Sequence, residues 1–180
     1  MNSEQVEEII EEPMGDDDIK FYFPNAKILK YSELANYSNI DELLPTNKDY
    51  AFILYEDSPN KGHWTCLSKN DNNIEYFDSY GGKPDNPLNW NNKQINNELG
   101  QGQKLLSNLL DGSDRKVIYN PKKYQKDGSD INTCGRHCTF RLKQMKGGRN
   151  LQQYYEFMKN LKNNTGKSYD EIVASFIKKV

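Results

Sequence analysis

Few residues in the chain can carry nucleophilic chemistry, and their placement narrows the choice further. There are three cysteines and two histidines. Cys134 stands in the run Asp130-Ile-Asn-Thr-Cys-Gly-Arg-His-Cys138. Polar, cap-forming residues precede it and a helical pattern follows. This predicts a thiol at a helix N-terminus, where the dipole and unpaired amides stabilise the thiolate. Gly135 leaves the adjacent backbone uncluttered for a substrate. The thiol needs a base, and His63 opens the predicted strand His63-Trp-Thr-Cys-Leu67. The next predicted strand, Ile74-Glu-Tyr-Phe-Asp78, ends on a carboxylate. With the intervening loop centred on Asn70-Asp71, Leu67 faces Ile74, Thr65 faces Tyr76 and His63 faces Asp78. Directly opposed side chains lie about 4.5–5.5 Å apart at Cβ, close enough for Asp78 to accept the imidazole N–H, fix its tautomer and raise its basicity. The competing reading is a surface His–Asp pair, since a one-residue slip in register separates the two. Cys134, His63 and Asp78 thus form a candidate nucleophile, base and orienting acid for acyl transfer.

The remaining histidine and cysteines have plainer readings. His137 lies one turn inside the same predicted helix as Cys134 and has no obvious carboxylate partner in the sequence. It is expected to pack or to hydrogen-bond. Cys138 shares a helix face with Leu142 and Met145, the usual position of a buried structural cysteine. Cys66 is expected in the core. His63 and Cys66 with Cys134 and Cys138 could supply four zinc ligands. Residues three apart on a strand point to opposite faces, however, so no metal is expected.

Several elements must position these residues. Residues 1–18 carry eight acids and no Lys or Arg, and read as an acidic arm with a short helix on Val6, Ile9 and Ile10. Residues 19–180 read as a single domain, since 180 residues suffice for one core and not for two. Ser32 is an expected N-cap for a helix through Tyr37, and residues 40–44 form another helical turn stopped by Pro45. Residues 50–55, 63–67 and 74–78 read as three adjacent strands of an antiparallel sheet, divided by SPNKG and KNDNN. A loop over 81–103 is interrupted by Trp90. A helix over 104–110 and a strand over 117–119 follow. Three helices close the chain, over 134–146, 151–162 and 169–179, the last behind a capping box of Ser168 with Glu171. This order of elements predicts an α+β fold with a central, mainly antiparallel sheet flanked by helices.

Bulk properties exclude other classes. Hydrophobic residues make up 35% and aromatics 12%, enough for a folded core. No apolar run approaches the ~20 residues of a membrane span, and the N-terminus is acidic where a signal peptide is basic and then apolar. An odd number of cysteines without disulfide-rich spacing fits a reducing compartment. The chain is therefore expected in the cytosol or nucleus, unattached to membranes and not secreted. The net charge of −2 hides an asymmetry. Residues 115–149 hold ten Lys or Arg against only Asp127 and Asp130. That stretch reads either as a solvated face balanced by the acidic arm or as an electropositive surface beside the candidate site.

Together, Gly62-His63-Trp64, Tyr76-Phe77-Asp78-Ser79-Tyr80-Gly81, Gln125 and Cys134-Gly135 resemble the adenain-like and ubiquitin-like-protein-specific cysteine proteases, whose order is His, Asp or Glu, Gln, Cys. The likeness spans about residues 28–142. With Ile28-Leu-Lys-Tyr-Ser-Glu-Leu34 and Asn132-Thr-Cys-Gly-Arg-His137, it points toward members encoded by large DNA viruses, virophages and polinton-like elements. The resemblance implies a papain-like, adenain-type fold. It also implies that Gln125 donates its side-chain amide to the oxyanion beside the backbone N–H of Cys134. The gap from Gln125 to Cys134 is nine residues where the family often has six, so the loop 126–131 must bulge by about one turn. Trp64 is expected to help wall the cleft, with core packing as its other reading.

Three function classes follow. The first is an endopeptidase that cleaves capsid or virion precursors at Gly-containing sites during particle maturation, acting as a monomer in the virion and in the host cytoplasm or nucleus. The second is an isopeptidase acting on ubiquitin-like conjugates. The third is a non-catalytic binding module. The chemistry requires no cofactor. The resemblance adds an expected DNA or peptide activator, with Lys122, Lys123, Lys126, Arg136, Lys143 and Lys146 as candidate phosphate contacts.

Overall fold

The structure is a computed structural model that describes residues 2–180. In chain order it contains α1 (Ser3–Glu11), α2 (Asp16–Tyr22), β1 (Lys27–Lys30), a 3-10 helix (Tyr31–Asn36), α3 (Ile40–Leu43), β2 (Tyr50–Ser58), β3 (Lys61–Lys69) and β4 (Asn73–Phe77). A second 3-10 helix (Asn86–Trp90), α4 (Lys93–Glu98), α5 (Leu105–Asp111), β5 (Lys116–Tyr119), α6 (Cys134–Lys146), α7 (Leu151–Thr165) and α8 (Tyr169–Phe176) follow. The fold is mixed α+β around one five-stranded sheet of order β1-β2-β3-β4-β5. The expected antiparallel meander β2-β3-β4 is its centre, and β1 and β5 add to the two edges in parallel. The 81–103 segment, read as a loop, instead carries the second 3-10 helix and α4.

The chain divides into two compact units. The sheet unit comprises Asn25–Asp78 and Gly82–Pro121. On one face of its sheet, Ala51, Ile53, Tyr55, Leu67, Ile74 and Tyr76 pack with Leu34, Leu43, Leu106 and Leu110 from the 3-10 helix, α3 and α5. These side chains alternate along β2 to β4, so one pleat face of three strands feeds one core. The helical unit comprises Met1–Pro24, Ser79–Gly81 and Lys122–Val180. Its centre is α6. Phe140 stacks on Phe176 at 5.2 Å, and the Arg141 guanidinium lies over the Tyr154 ring at 5.0 Å. The capping box of Ser168 with Glu171 starts α8 as expected.

The acidic arm is part of the helical unit. Val6 and Met14 are buried, and α2 runs across the expected boundary at residue 18. The backbone carbonyl of Ile10 accepts from Asn132 N–H at 2.9 Å and that of Glu11 from Asn132 Nδ2 at 2.8 Å. The carbonyl of Glu12 accepts from Arg136. The arm is thus tied through its main chain to residues on both sides of Cys134.

The hairpin register departs from expectation by two residues. Leu67 pairs with Tyr76 and Lys69 with Ile74, rather than Leu67 with Ile74. The cause is Asn70, whose side-chain oxygen accepts the N–H groups of Asn72 and Asn73 at 3.0 and 2.7 Å, while its own N–H donates to Asn73 O. Asn70 thereby becomes the first turn residue, and the reversal centres on Asp71-Asn72. The shift is even, so every side chain keeps its face.

The other hairpin turn brings β2 and β3 unusually close where Glu56 to Ser58 are irregular. A Cβ on Gly62 would lie 1.9 Å from Tyr55 O. Gly62→Ala must therefore part the two strands just before His63, and is expected to cost about 2–3 kcal/mol, read as a lowered urea midpoint at unchanged slope.

Candidate functional site

In the sheet unit, His63 and Asp78 meet. With the observed register they are diagonal neighbours on the same face, because Asp78 continues β4 opposite Thr65. Their side chains still reach each other: His63 Nε2–H donates to Asp78 Oδ1 at 2.8 Å. Asp78 is buried and His63 is 8% exposed. A carboxylate can only accept, so the bond fixes the Nε2–H tautomer and makes Nδ1 the basic nitrogen. Asn120 Nδ2 donates to Asp78 O at 2.8 Å and holds the backbone where it leaves the sheet.

Trp90, read only as an interruption of a loop, sets its ring edge-on to His63 at 5.0 Å while remaining 54% exposed. Its placement begins at Asp85, which has a left-handed backbone and accepts from Tyr31 OH at 2.7 Å, Tyr55 OH at 3.1 Å and Ser107 N–H at 2.9 Å. Burial, with the Asp85 charge adding, pushes the phenols of Tyr31 and Tyr55 well above their usual range and keeps them neutral donors. Asn91 Nδ2 fixes the far end of the 3-10 helix on Glu56 O at 2.8 Å. No short-range sequence signal links Tyr31, Tyr55 and Asp85. Trp64 and Cys66 lie on the face of β3 opposite His63, where Trp64 packs edge-on to Phe52. Among the described residues, no group of three or more His, Cys, Asp or Glu is placed to hold a metal.

In the helical unit, Cys134 is the first residue of α6, and both it and Gly135 are buried. Thr133 occupies the N-cap position, yet no side-chain cap bond forms. Its hydroxyl donates instead to Asp170 Oδ1 at 2.6 Å. The positive end of the α6 dipole therefore lies at Cys134 without a side-chain cap from Thr133.

Gln125 is held at its main chain and its side chain. Ser79 O accepts the N–H groups of Tyr124 and Gln125 at 2.8 and 3.0 Å. Ser79 Oγ–H donates to Gln125 Oε1 at 2.7 Å, and Gln125 Nε2 donates to Ile131 O at 3.0 Å. A backbone carbonyl only accepts, so the amide orientation is determined, and one of its two N–H donors is left over. The added loop length is absorbed by a turn in which Ile131 N–H donates to Gly128 O. Gly128 has φ 154°, and a Cβ there would meet the Asp130 carboxylate.

His137 does have a carboxylate partner, contrary to expectation: Nε2 lies 3.0 Å from Asp170 Oδ1. Its ring is fully buried, which removes it from the reach of a leaving amine and disfavours it as the base. Asp170 also accepts Lys126 N–H at 3.1 Å. Burial opposes the charged form of Asp170, but the hydrogen bond and charge of His137, with the bonds from Thr133 and Lys126, more than offset it. The carboxyl is held below its usual range.

The basic stretch separates by residue type. Arg136 is fully buried and donates to the carbonyls of Glu12 and Ile177, so it is unavailable to a phosphate, contrary to expectation. Arg115 binds Asn70 O, Asp71 O and Asn47 Oδ1, and Arg149 lies 4.0 Å from the Phe157 ring centroid. Lys122, Lys123, Lys126, Lys143 and Lys146 are exposed.

No protein-family model matches the chain. It is 42% identical over 118 residues to "Uncharacterized protein V9" of Sputnik virophage, covering 65% of this chain and 67% of that protein. The chain belongs to the family of that virophage protein. Among solved structures, it overlaps 92% of its length with 94% of the central domain of the uncharacterized Lpg1148 protein from Legionella pneumophila, at 17% identity and TM-score 0.42. The SUMO protease Ulp1 with its catalytic cysteine oxidised to a sulfenic acid overlaps 98% of this chain and 94% of its own, at 14% identity and TM-score 0.46. At these values neither likeness specifies an activity. No helix among the described residues is long and apolar enough to cross a membrane.

Two outcomes test this geometry. Asp78→Asn places an amide against His63 and is expected to transfer the imidazole proton to Nδ1, visible in the long-range 15N–1H spectrum of the ring. Asp170, whose pKa is lowered on folding, contributes stability above the unfolded value of about 3.9 and loses it as pH falls through the folded value. The stability lead of wild type over Asp170→Asn is therefore expected to stay constant above about pH 5 and to shrink below about pH 4 in urea titrations.

Proposed function

We propose that this chain is a cysteine endopeptidase, with Cys134 as nucleophile, His63 as base, Asp78 as its orienting acid and Gln125 as an oxyanion donor. The observation that carries the reading is the buried Nε2–H bond from His63 to Asp78, which commits Nδ1 to proton transfer. The position of Cys134 at an uncapped helix start supports it.

In the proposed reaction the Cys134 thiol passes its proton to His63 Nδ1, and the sulfur attacks the scissile carbonyl carbon. The carbonyl electron pair moves to oxygen, where the Gln125 side-chain amide and the Cys134 backbone N–H receive it. Collapse re-forms the carbonyl and expels the amine, which takes the proton from His63. Water, deprotonated by the same nitrogen, then attacks the thioester, releasing the acid and restoring the thiol. These residues carry every proton the cycle needs.

The adenain-like motifs favour virion precursor proteins as substrates, cut at Gly-containing sites in virions or in the infected cell, and the relative from a virophage supports a viral setting. The exposed lysines between 122 and 146 are the candidate contacts for a nucleic-acid activator. Unchanged activity on adding DNA at low salt would remove that element.

Cys134→Ala and His63→Ala are expected to abolish cleavage of Gly-Gly-containing peptides and of a purified virion precursor, while Gln125→Ala lowers kcat by about 10²–10³. Cys66→Ala is expected to retain thiol labelling at Cys134. Cleavage that persists in Cys134→Ala would overturn the proposal. Preference for ubiquitin-like conjugates over peptides would reassign the activity to an isopeptidase.

A further inference from the structure

Asp170 has no part in the reaction just described, yet it joins the segments that carry two of its groups. It sits in the first turn of α8 and is 1% exposed. Oδ1 accepts from the Thr133 hydroxyl and from His137 Nε2–H, and Oδ2 accepts from Lys126 N–H. Thr133 directly precedes Cys134. Lys126 directly follows Gln125. His137 lies one turn into α6. One carboxylate therefore holds the residue before the nucleophile, the residue after the oxyanion donor and the helix that bears the thiol.

Each bond has a distinct effect. The Lys126 bond fixes the main chain on the C-terminal side of Gln125, while Ser79 O fixes it through the N–H groups of Tyr124 and Gln125. Besides it, the loop from 126 to 131 is held at its start by the exposed Lys123–Asp127 ion pair and at its end by the Gln125 amide on Ile131 O. The Thr133 bond turns a hydroxyl that ordinarily caps a helix away from α6 and fixes the residue that precedes Cys134 on the carboxylate. The His137 bond ties the carboxylate to the first turn of α6, so Thr133 and the helix are held together. The lowered pKa of Asp170 keeps it an acceptor for all three donors through the neutral range.

We infer that Asp170 is a positioning residue, which sets Cys134 and the Gln125 amide in the relation that oxyanion stabilisation requires. The inference rests on the proposed reaction for its catalytic consequence, and on geometry alone for the positioning. A displacement of about 1 Å in such a donor can cost about 10²-fold in rate.

The test is Asp170→Asn in the full chain, which keeps side-chain shape but cannot accept from three donors. On a Gly-Gly-containing peptide, kcat is expected to fall about 10–100-fold with KM within about threefold. Alkylation of Cys134 by iodoacetamide, measured where the thiol is fully ionised, forms no oxyanion and is expected to stay within about threefold of wild type. A folded variant with unchanged kcat, or one in which hydrolysis and alkylation fall in equal proportion, would overturn the inference. Amide exchange at Lys126 and the Gln125 side-chain NH2 resonances read the positioning without substrate. Lost protection and Gln125 NH2 shifts that move to random-coil values support it, and wild-type protection and shifts in the variant sink it. A wild-type chain that cleaves no peptide would defeat the proposed reaction but leave this second readout decisive. If Asp170→Asn does not fold, Thr133→Val removes one donor and is expected to lower kcat about three- to tenfold; an unchanged kcat there counts against the hub.

Discussion

The side-chain oxygen of Asn70 holds two backbone amides, and the arrangement of the sheet unit follows from that small fact. By accepting from Asn72 and Asn73 it decides where the chain reverses between β3 and β4. Arg115 clamps the same turn from outside through Asn70 O and Asp71 O. Once the reversal is fixed, the pairing of every residue along the hairpin is fixed with it. His63 and Asp78 come to share a face and stand close enough for a 2.8 Å bond. A reversal moved by half a step along the chain would send one of them to the far side of the sheet.

That dependence explains which parts of the candidate site could be read from sequence. The three central strands, the last three helices and the cap at Ser168 announce themselves through periodicity and local capping chemistry. The His63–Asp78 association is legible although the expected register differs from the observed one by two residues, because an even difference conserves the face. What remained hidden involves partners far apart in the chain or contacts made by main chain. Asp170 meets His137 only because α8 packs on α6. Asp85, itself left-handed, meets Tyr31 and Tyr55 from the residue just before the second 3-10 helix. The carbonyls of the acidic arm bind Asn132 and Arg136 without using any side chain that the composition would flag.

Two buried aspartates, Asp85 and Asp170, do similar work in the two units. Each collects three donors, from three segments at Asp85 and from two at Asp170, and each fixes a stretch of irregular backbone that apolar packing alone would leave loosely specified. Non-directional burial can bring loops together; it cannot set the angle of a Trp90 ring or a Gln125 amide. Losing an acceptor of this kind strands several donors in a dry environment, so the penalty is much larger than one missing bond. The arginines follow the same logic. Arg115 and Arg136 are spent on backbone carbonyls and Arg149 rests on an aromatic face, which leaves the lysines to set the charge of the surface.

The helical unit is assembled from pieces at both extremes of the sequence: α1 packs with α8 and α2 with α6, while the sheet unit lies in one nearly unbroken run from 25 to 121. On the ribosome, where the N-terminus emerges first, α1 and α2 must wait exposed until more than a hundred further residues have been added. The sheet, with its histidine already paired to its carboxylate, has everything it needs well before then. Cys134 is therefore seated later than the His63–Asp78 pair, because the unit that holds it is complete only when α8 has been made.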